Sequence, residues 1–230
     1  THDENVNKGA TQVSGTFTVS LNSQINVTGK GMPSNTGIDL FTLLPTANVG
    51  GSAGGSYGGL GGGSSNPLYG DARNPAFLGS GGGSGNTPLG GTGGGLVNLN
   101  VGTLVLNGEL HADGANGAHG GNYQSGGGGG SGGGIKIVAG TMSGTGYITA
   151  NGGGGGNSNH NQSVGSGGGG GRIAITATNY EFEGSVFANG GIEGNDYNNT
   201  ADDGHKGTLY ILDDNHLVLG SAVTTIGLGD

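Results

Sequence analysis

The chain of 230 residues has no cysteine and no tryptophan, and only 9% of it is charged. Without cysteine there are no disulfide staples, no thiol nucleophile and no His-Cys zinc spacing. No stretch approaches the ~18 consecutive apolar residues that a membrane-spanning helix needs, so no membrane insertion is expected, and no signal peptide is visible. Six Lys and Arg stand against 15 Asp and Glu, a net charge of −9, and the six are scattered. That leaves no basic stripe for a phosphate backbone, and no nucleic-acid partner is expected. The sequence opens at Thr1 rather than at Met, which reads as a processed or excerpted polypeptide. Scarce lysine, abundant Thr, Asn, Ser and Gly, and the acidic balance point to an extracellular or cell-surface location.

What is present in excess is glycine, 62 residues of it, without the strict Gly-X-Y period of collagen. Ordering glycine costs more backbone entropy than ordering any other residue, so ordered runs such as 126–130 and 167–171 need regular pairing. The candidate is polyglycine II, an extended helix of three residues per turn whose peptide groups bond only to neighbouring chains.

The glycine runs punctuate a weak internal repeat. Residues 96–114, 134–152 and 172–190 superimpose at a spacing of about 38, and a fourth copy, 208–226, follows after about 36. Within each copy apolar residues alternate, as in Val97 and Leu99, Ile135 and Ile137, Ile173 and Ile175, and Leu209 and Ile211. After a turn, Leu110 with Ala112, Ile148 with Ala150 and Val186 with Ala188 do the same, before Asp113-Gly114, Asn151-Gly152 and Asn189-Gly190. Residues 16–29 hold a first, shorter relative. Stacking these units predicts an all-β fold, a right-handed parallel β-solenoid flanked by a polyglycine-II layer formed from the intervening excursions. Residues 1–14 read as an N-terminal arm or connector containing Val6 and Val13. Residues 15–230 read as one domain with a long excursion over 30–95. In that excursion the apolar cluster 38–45 reads either as a plug over one end of the core or as a contact surface for a neighbouring subunit.

The strings Tyr69–Gly83, Gly132–Gly156 and Gly167–Thr176 resemble glycine-rich repeat regions of large secreted and surface proteins of bacteria and protists. The resemblance covers roughly 29–207 and implies location and architecture rather than an activity. The glycine runs alone also resemble polyglycine-II bundles such as those at receptor-binding tips of some phage tail fibres and in one class of small antifreeze protein.

Little chemistry is visible. Six histidines (His2, His111, His119, His160, His205 and His216) occupy non-equivalent places, and no HExxH, phosphate-loop or nucleophile-elbow pattern occurs. No cofactor is expected and the chain reads as no enzyme. Glu181 and Glu183 lie two apart on one strand. Asp202, Asp203, Asp213 and Asp214 form turn-like clusters of the oxygen ligands calcium uses, against the plainer reading of polar turns. Sequons place possible N-glycosylation at Asn26, Asn161 and Asn198. The expectation is a structural module of a surface filament, hair or stalk that self-associates head to tail. The alternative is an adhesin or glycan-binding or ice-binding module, with Tyr57, Tyr69, Phe77, Tyr123 and Tyr197 available as loop aromatics. Mixed residues at the equivalent positions His111, Thr149 and Phe187 speak against a regular ice-binding threonine ladder.

Overall fold

The computed structural model describes residues 11–46, 49–63, 66–85, 89–159, 162–195 and 200–213, together with the backbone of 216–217. In chain order the elements are β1 (Thr11–Val19), β2 (Gln24–Asn26), β3 (Gly37–Ile38), β4 (Pro45–Thr46), β5 (Leu96–Leu106), β6 (Glu109–His111), β7 (Gly134–Gly144), β8 (Tyr147–Thr149), β9 (Arg172–Phe182), β10 (Ser185–Phe187), β11 (Thr208–Asp213) and β12 (His216–Leu217). No helix occurs among the described residues. Thr11–Ser14, read from sequence as part of the arm, belong to β1, and Thr11, Gln12 and Val13 pair with β5.

The larger sheet runs β1-β5-β7-β9-β11-β12, parallel except where β12 folds back on Leu212 and Asp213. The smaller is a parallel sheet of β10-β8-β6-β2, three residues to a strand. Register follows the repeat: Val97 lies beside Ile135, Ile135 beside Ile173 and Ile173 beside Leu209, so like residues stack in columns. The long strands do not alternate throughout. In β5 the buried positions are Val97, Leu99 and Val101 and then Leu104 and Leu106, a phase slip at Gly102 and Thr103 that recurs at Gly140 and Thr141. Two successive residues facing outward bend the strand and return both halves to the core. Ile25, Leu110, Ile148 and Val186 from the smaller sheet meet these columns. Each fully buried Leu or Ile is worth roughly 1.5–3 kcal/mol relative to exposure.

The expectation of a parallel β-solenoid is corrected here. The chain forms two separate parallel sheets, of five and four parallel strands, that do not close into a continuous coil. A 38-residue unit supplies one strand of 11 residues and one of three, as β5 and β6 do, and the remainder is too rich in glycine to present side-chain columns for a further sheet. Among the described residues no closed coil exists to which a right hand could be assigned.

The glycine segments are held instead by bonds to several neighbours at once. In the segment 126–133 every third N–H goes to the same neighbouring segment. Gly126, Gly129 and Gly132 donate to Ser163, Ser166 and Gly169, and Gly127, Gly130 and Gly133 donate to Ala118, Ala115 and Ala112. Gly128 and Ser131 donate to Gly83 and Ser80 of the long excursion. Thus one segment of peptide is tied on three sides by its own donors, and its carbonyls accept from further segments, as when Gly91 donates to Gly128 and Gly153 to Gly130. Such spacing excludes side chains. A Cβ on Gly168 would lie well inside contact distance of the Gly130 carbonyl.

Gly168→Ala is accordingly expected to cost about 3 kcal/mol, the upper end of overpacking penalties. Gly15→Ala, where a Cβ meets nothing within 4 Å, should stay within about 0.5 kcal/mol of the parent. Urea unfolding of both variants checks the contrast, and equal stabilities would mean that the close approach is not what excludes side chains.

Candidate functional site

The densest polar constellation lies on the outer face of the smaller sheet. His111 in β6 meets Glu109 Oε2 through Nε2 at 2.9 Å and Thr149 Oγ1 of β8 through Nδ1 at 2.7 Å. The Thr149 hydroxyl donates to Asp113 Oδ2 at 2.8 Å, and the Asn151 N–H donates to Asp113 Oδ1 at 2.6 Å. The imidazole thus bridges the Glu109 carboxyl group and the Thr149 hydroxyl, and the Asp113 carboxyl group closes the network from the other side of that hydroxyl. Both carboxylates and the hydroxyl are committed to it, so what the arrangement does is tie β6 to β8.

The Asp113–Asn151 bond is one rung of a ladder. Asn189 N–H donates to Asn151 Oδ1, Asn195 N–H to Asn157 Oδ1 and Asn157 N–H to His119 Nδ1, each 38 residues apart. Asn116 Oδ1 likewise accepts from Gly154 N–H. Where the chain leaves glycine for a corner, a side chain supplies the acceptor that links one repeat to the next. At the first repeat the device turns inward, since Thr28 N–H takes the Oδ1 of Asn26 in its own strand region.

The acidic candidates from sequence do not converge. Asp203 Oδ1 accepts from Glu193 N–H at 2.8 Å, Asp213 Oδ1 accepts from Tyr180 N–H at 3.2 Å, and the backbone carbonyl of Asp202 accepts from Gly167. Asp214 lies outside the described residues. Among the described residues no group of three or more His, Asp and Glu is arranged to hold a metal ion. Glu181 accepts from Asn179 Nδ2, and Glu183 lies past the end of β9, its N–H bonded to Gly144. Of the sequon residues, Asn161 and Asn198 lie outside the described residues, while Asn26 is exposed in β2 with Nδ2 donating to Gln24. His205 is bonded through its backbone to Leu60 and Gly170, and His2 and His160 lie outside the described residues.

Sequence reading missed a second cluster, in which the long excursion clamps the mouth of the larger sheet. Arg172 opens β9 in the register position held by Leu96, Gly134 and Thr208, and it is buried. Its guanidinium donates to the Tyr69 carbonyl at 2.9 Å and to Thr208 Oγ1 at 3.2 Å and lies 5.4 Å from the Tyr57 ring centroid. Burial pushes the Arg172 guanidinium below its ordinary value, opposed by Tyr57 and Tyr69. Tyr57 and Tyr69 stack at 4.7 Å, Phe77 meets Tyr69 edge-on, and Met32 and Ile38 complete the group. Tyr57 and Tyr69, available on sequence as loop aromatics, are thus core residues, whereas Tyr123 is exposed and Tyr197 lies outside the described residues. The only sequence signal was an arginine directly after five glycines.

Comparison with protein-family models, with curated proteins and with solved structures finds no match.

Two predictions arise from these clusters. Asp113→Ala removes acceptors from both Thr149 and Asn151 and should cost about 2 kcal/mol, measured by urea unfolding. An unchanged midpoint would show the ladder to be incidental. The second concerns alkali. Desolvation pushes the Tyr57 and Tyr180 hydroxyls up to about 12 from 10.0, and Tyr69 is raised further, its hydroxyl also donating to the Leu78 carbonyl. The folded chain holds these protons more tightly than the unfolded chain does. Their contribution is therefore fully present below pH 10 and is lost as pH rises through about 12, roughly 2–3 kcal/mol for Tyr57 alone. Melting temperature against pH should fall over that window, and Tyr57→Phe should flatten the fall.

Proposed function

We propose that the chain is a non-enzymatic extracellular structural protein, a stiff module of a surface filament, hair or stalk that associates with further copies head to tail. The observation that carries this reading is the shared register of β5, β7 and β9, in which residue after residue stacks on its counterpart 38 positions away. A stack of this kind has two unlike faces, β1 with β2 on one side and β10 with β11 on the other. Contact between unlike faces repeats without closing and generates an open polymer. The outer side of Thr208–Ile211 is unpaired among the described residues, because β12 covers only Leu212 and Asp213. On the other side β1 carries a bulge between Val13 and Thr16, so a pairing neighbour would have to match two short stretches rather than one long edge.

A second reading, an adhesin or other binding module, is favoured by the outer face of the smaller sheet. There Tyr147 is exposed beside Glu109, and Phe187 lies in the same column as His111 and Thr149, an aromatic and polar surface of the kind that holds a sugar ring. Ice binding has less support, since the column Thr16, Thr103, Thr141 ends at Asn179.

Electron microscopy of the native material decides between them. A continuous fibre with an axial repeat of about one module is the expected result. Isolated monomers at high concentration would overturn the filament reading and direct attention to a glycan array.

A further inference from the structure

Four exposed apolar residues, among them the most exposed of the large apolar side chains in the described residues, are gathered at one tip. Phe41 is 99% exposed, and Leu40, Leu43 and Leu44 are at 50%, 51% and 62%. They crown the hairpin formed by β3 and β4, whose base is fixed by Ile38, packed with Met32, Tyr57 and Tyr69. Sequence allowed this segment to be a plug over the core. The structure turns its apolar side chains outward instead.

The tip is built to stand without water. Asp39 N–H donates to the Leu44 carbonyl at 3.0 Å and Leu43 N–H to the Asp39 carbonyl at 2.8 Å. Phe41 and Thr42 N–H donate to Asp39 Oδ1 at 2.9 and 2.8 Å, and Leu44 N–H reaches Thr42 Oγ1 at 3.4 Å. Five of the six N–H groups from Asp39 to Leu44 are therefore bonded inside the turn, which lowers the cost of bringing its backbone to an apolar surface and leaves the Leu40 N–H as the donor the turn does not take up. Leu43 holds a left-handed backbone, φ 54°, to complete it. Asp39 is the sole charged residue between Lys30 and Asp71, and its carboxylate faces inward as acceptor to the turn, which holds it below its ordinary value.

We infer that this hairpin tip inserts shallowly into the surface of a zwitterionic lipid layer, with Phe41 and the three leucines among the upper acyl chains. Two features choose that occupant. The tip offers four apolar side chains on one short turn, whereas a stable protein partner needs about 800 Å² from each side, more than four side chains offer. A lipid interface imposes no such minimum area. The tip carries no basic residue and the chain is at −9, so an anionic surface would repel it and a neutral one would not. The absence of a spanning segment concerned transmembrane helices and does not bear on a tip of this depth. The inference is independent of the filament reading, although copies in an array would add their affinities.

The chain has no tryptophan, so Phe41→Trp in the full 230-residue chain places a single reporter at the tip. Titrated with phosphatidylcholine vesicles, its emission should shift to the blue and be quenched by lipids brominated on the acyl chain. Half-saturation is expected near ~0.1 mM lipid, the range of a single acyl anchor. Phe41→Asp should lower vesicle co-sedimentation of the otherwise unaltered chain at least tenfold while leaving its melting temperature in place, since the side chain touches nothing in the core. No shift and no quenching at lipid concentrations ten times higher would overturn the proposal. A blue shift that grows with protein concentration in the absence of lipid would overturn it in favour of a second copy of this chain.

Discussion

Everything in this molecule depends on peptide groups meeting peptide groups at a distance that admits no side chain. In the segment 126–133 successive N–H groups leave in three directions, and neighbouring segments answer with their own. Folding such a chain carries the largest backbone entropy cost per residue of any composition. The saturation of donors and acceptors on several sides offsets it, and two ordinary apolar sheets set the positions of the segments. The sheets alone would be thin: strands of 11 and three residues bury a single cluster, whereas the glycine segments extend the ordered volume without adding apolar residues.

The polar side chains have a subordinate task that follows from the first. Glycine cannot form a corner and also supply a side-chain acceptor, so Asp113, Asn116, His119, Asn151 and Asn157 stand at the exits of the segments and link one repeat to the next. The Glu109–His111–Thr149–Asp113 network extends the same principle across two strands. The arginine clamp does it for the long excursion, where Arg172 fastens Tyr57 and Tyr69 over the start of β9. A cation held by a carbonyl, a hydroxyl and an aromatic face rather than by a carboxylate gives direction to the packing with little of the desolvation cost of a second buried charge.

The strand columns were legible because alternation and the 38-residue spacing both survive in the letters. Val97, Ile135, Ile173 and Leu209 stack as the superposition of copies implies. The overall closure was not legible. Alternation shows that a strand has two faces but not how the following glycines are placed, and these chose several partners over a third sheet. The phase slip at Gly102 was hidden as well, since glycine and threonine carry no signature of facing outward twice. Arg172 and the two tyrosines were missed for a different reason: their meeting joins residues 103 and 115 apart, a distance over which pattern in one sequence is silent. Of the polar network, His111 was noted as one of six histidines and as the equivalent of Thr149 and Phe187 but not as a bonding partner, because Thr149 lies 38 residues from His111 and 36 from Asp113, across strands rather than along them.

A glycine-rich flank has a final property that belongs to information rather than to energy. The runs 126–133 and 167–171 are themselves buried, and wherever such a segment reached a surface it would offer only carbonyls, amides and methylenes, the same pattern at every step and the same on any other chain that folds this way. Such a surface cannot carry an address. Whatever makes this molecule distinguishable to a partner has to be written at its corners and tips, in the few residues that the glycines push to the edge.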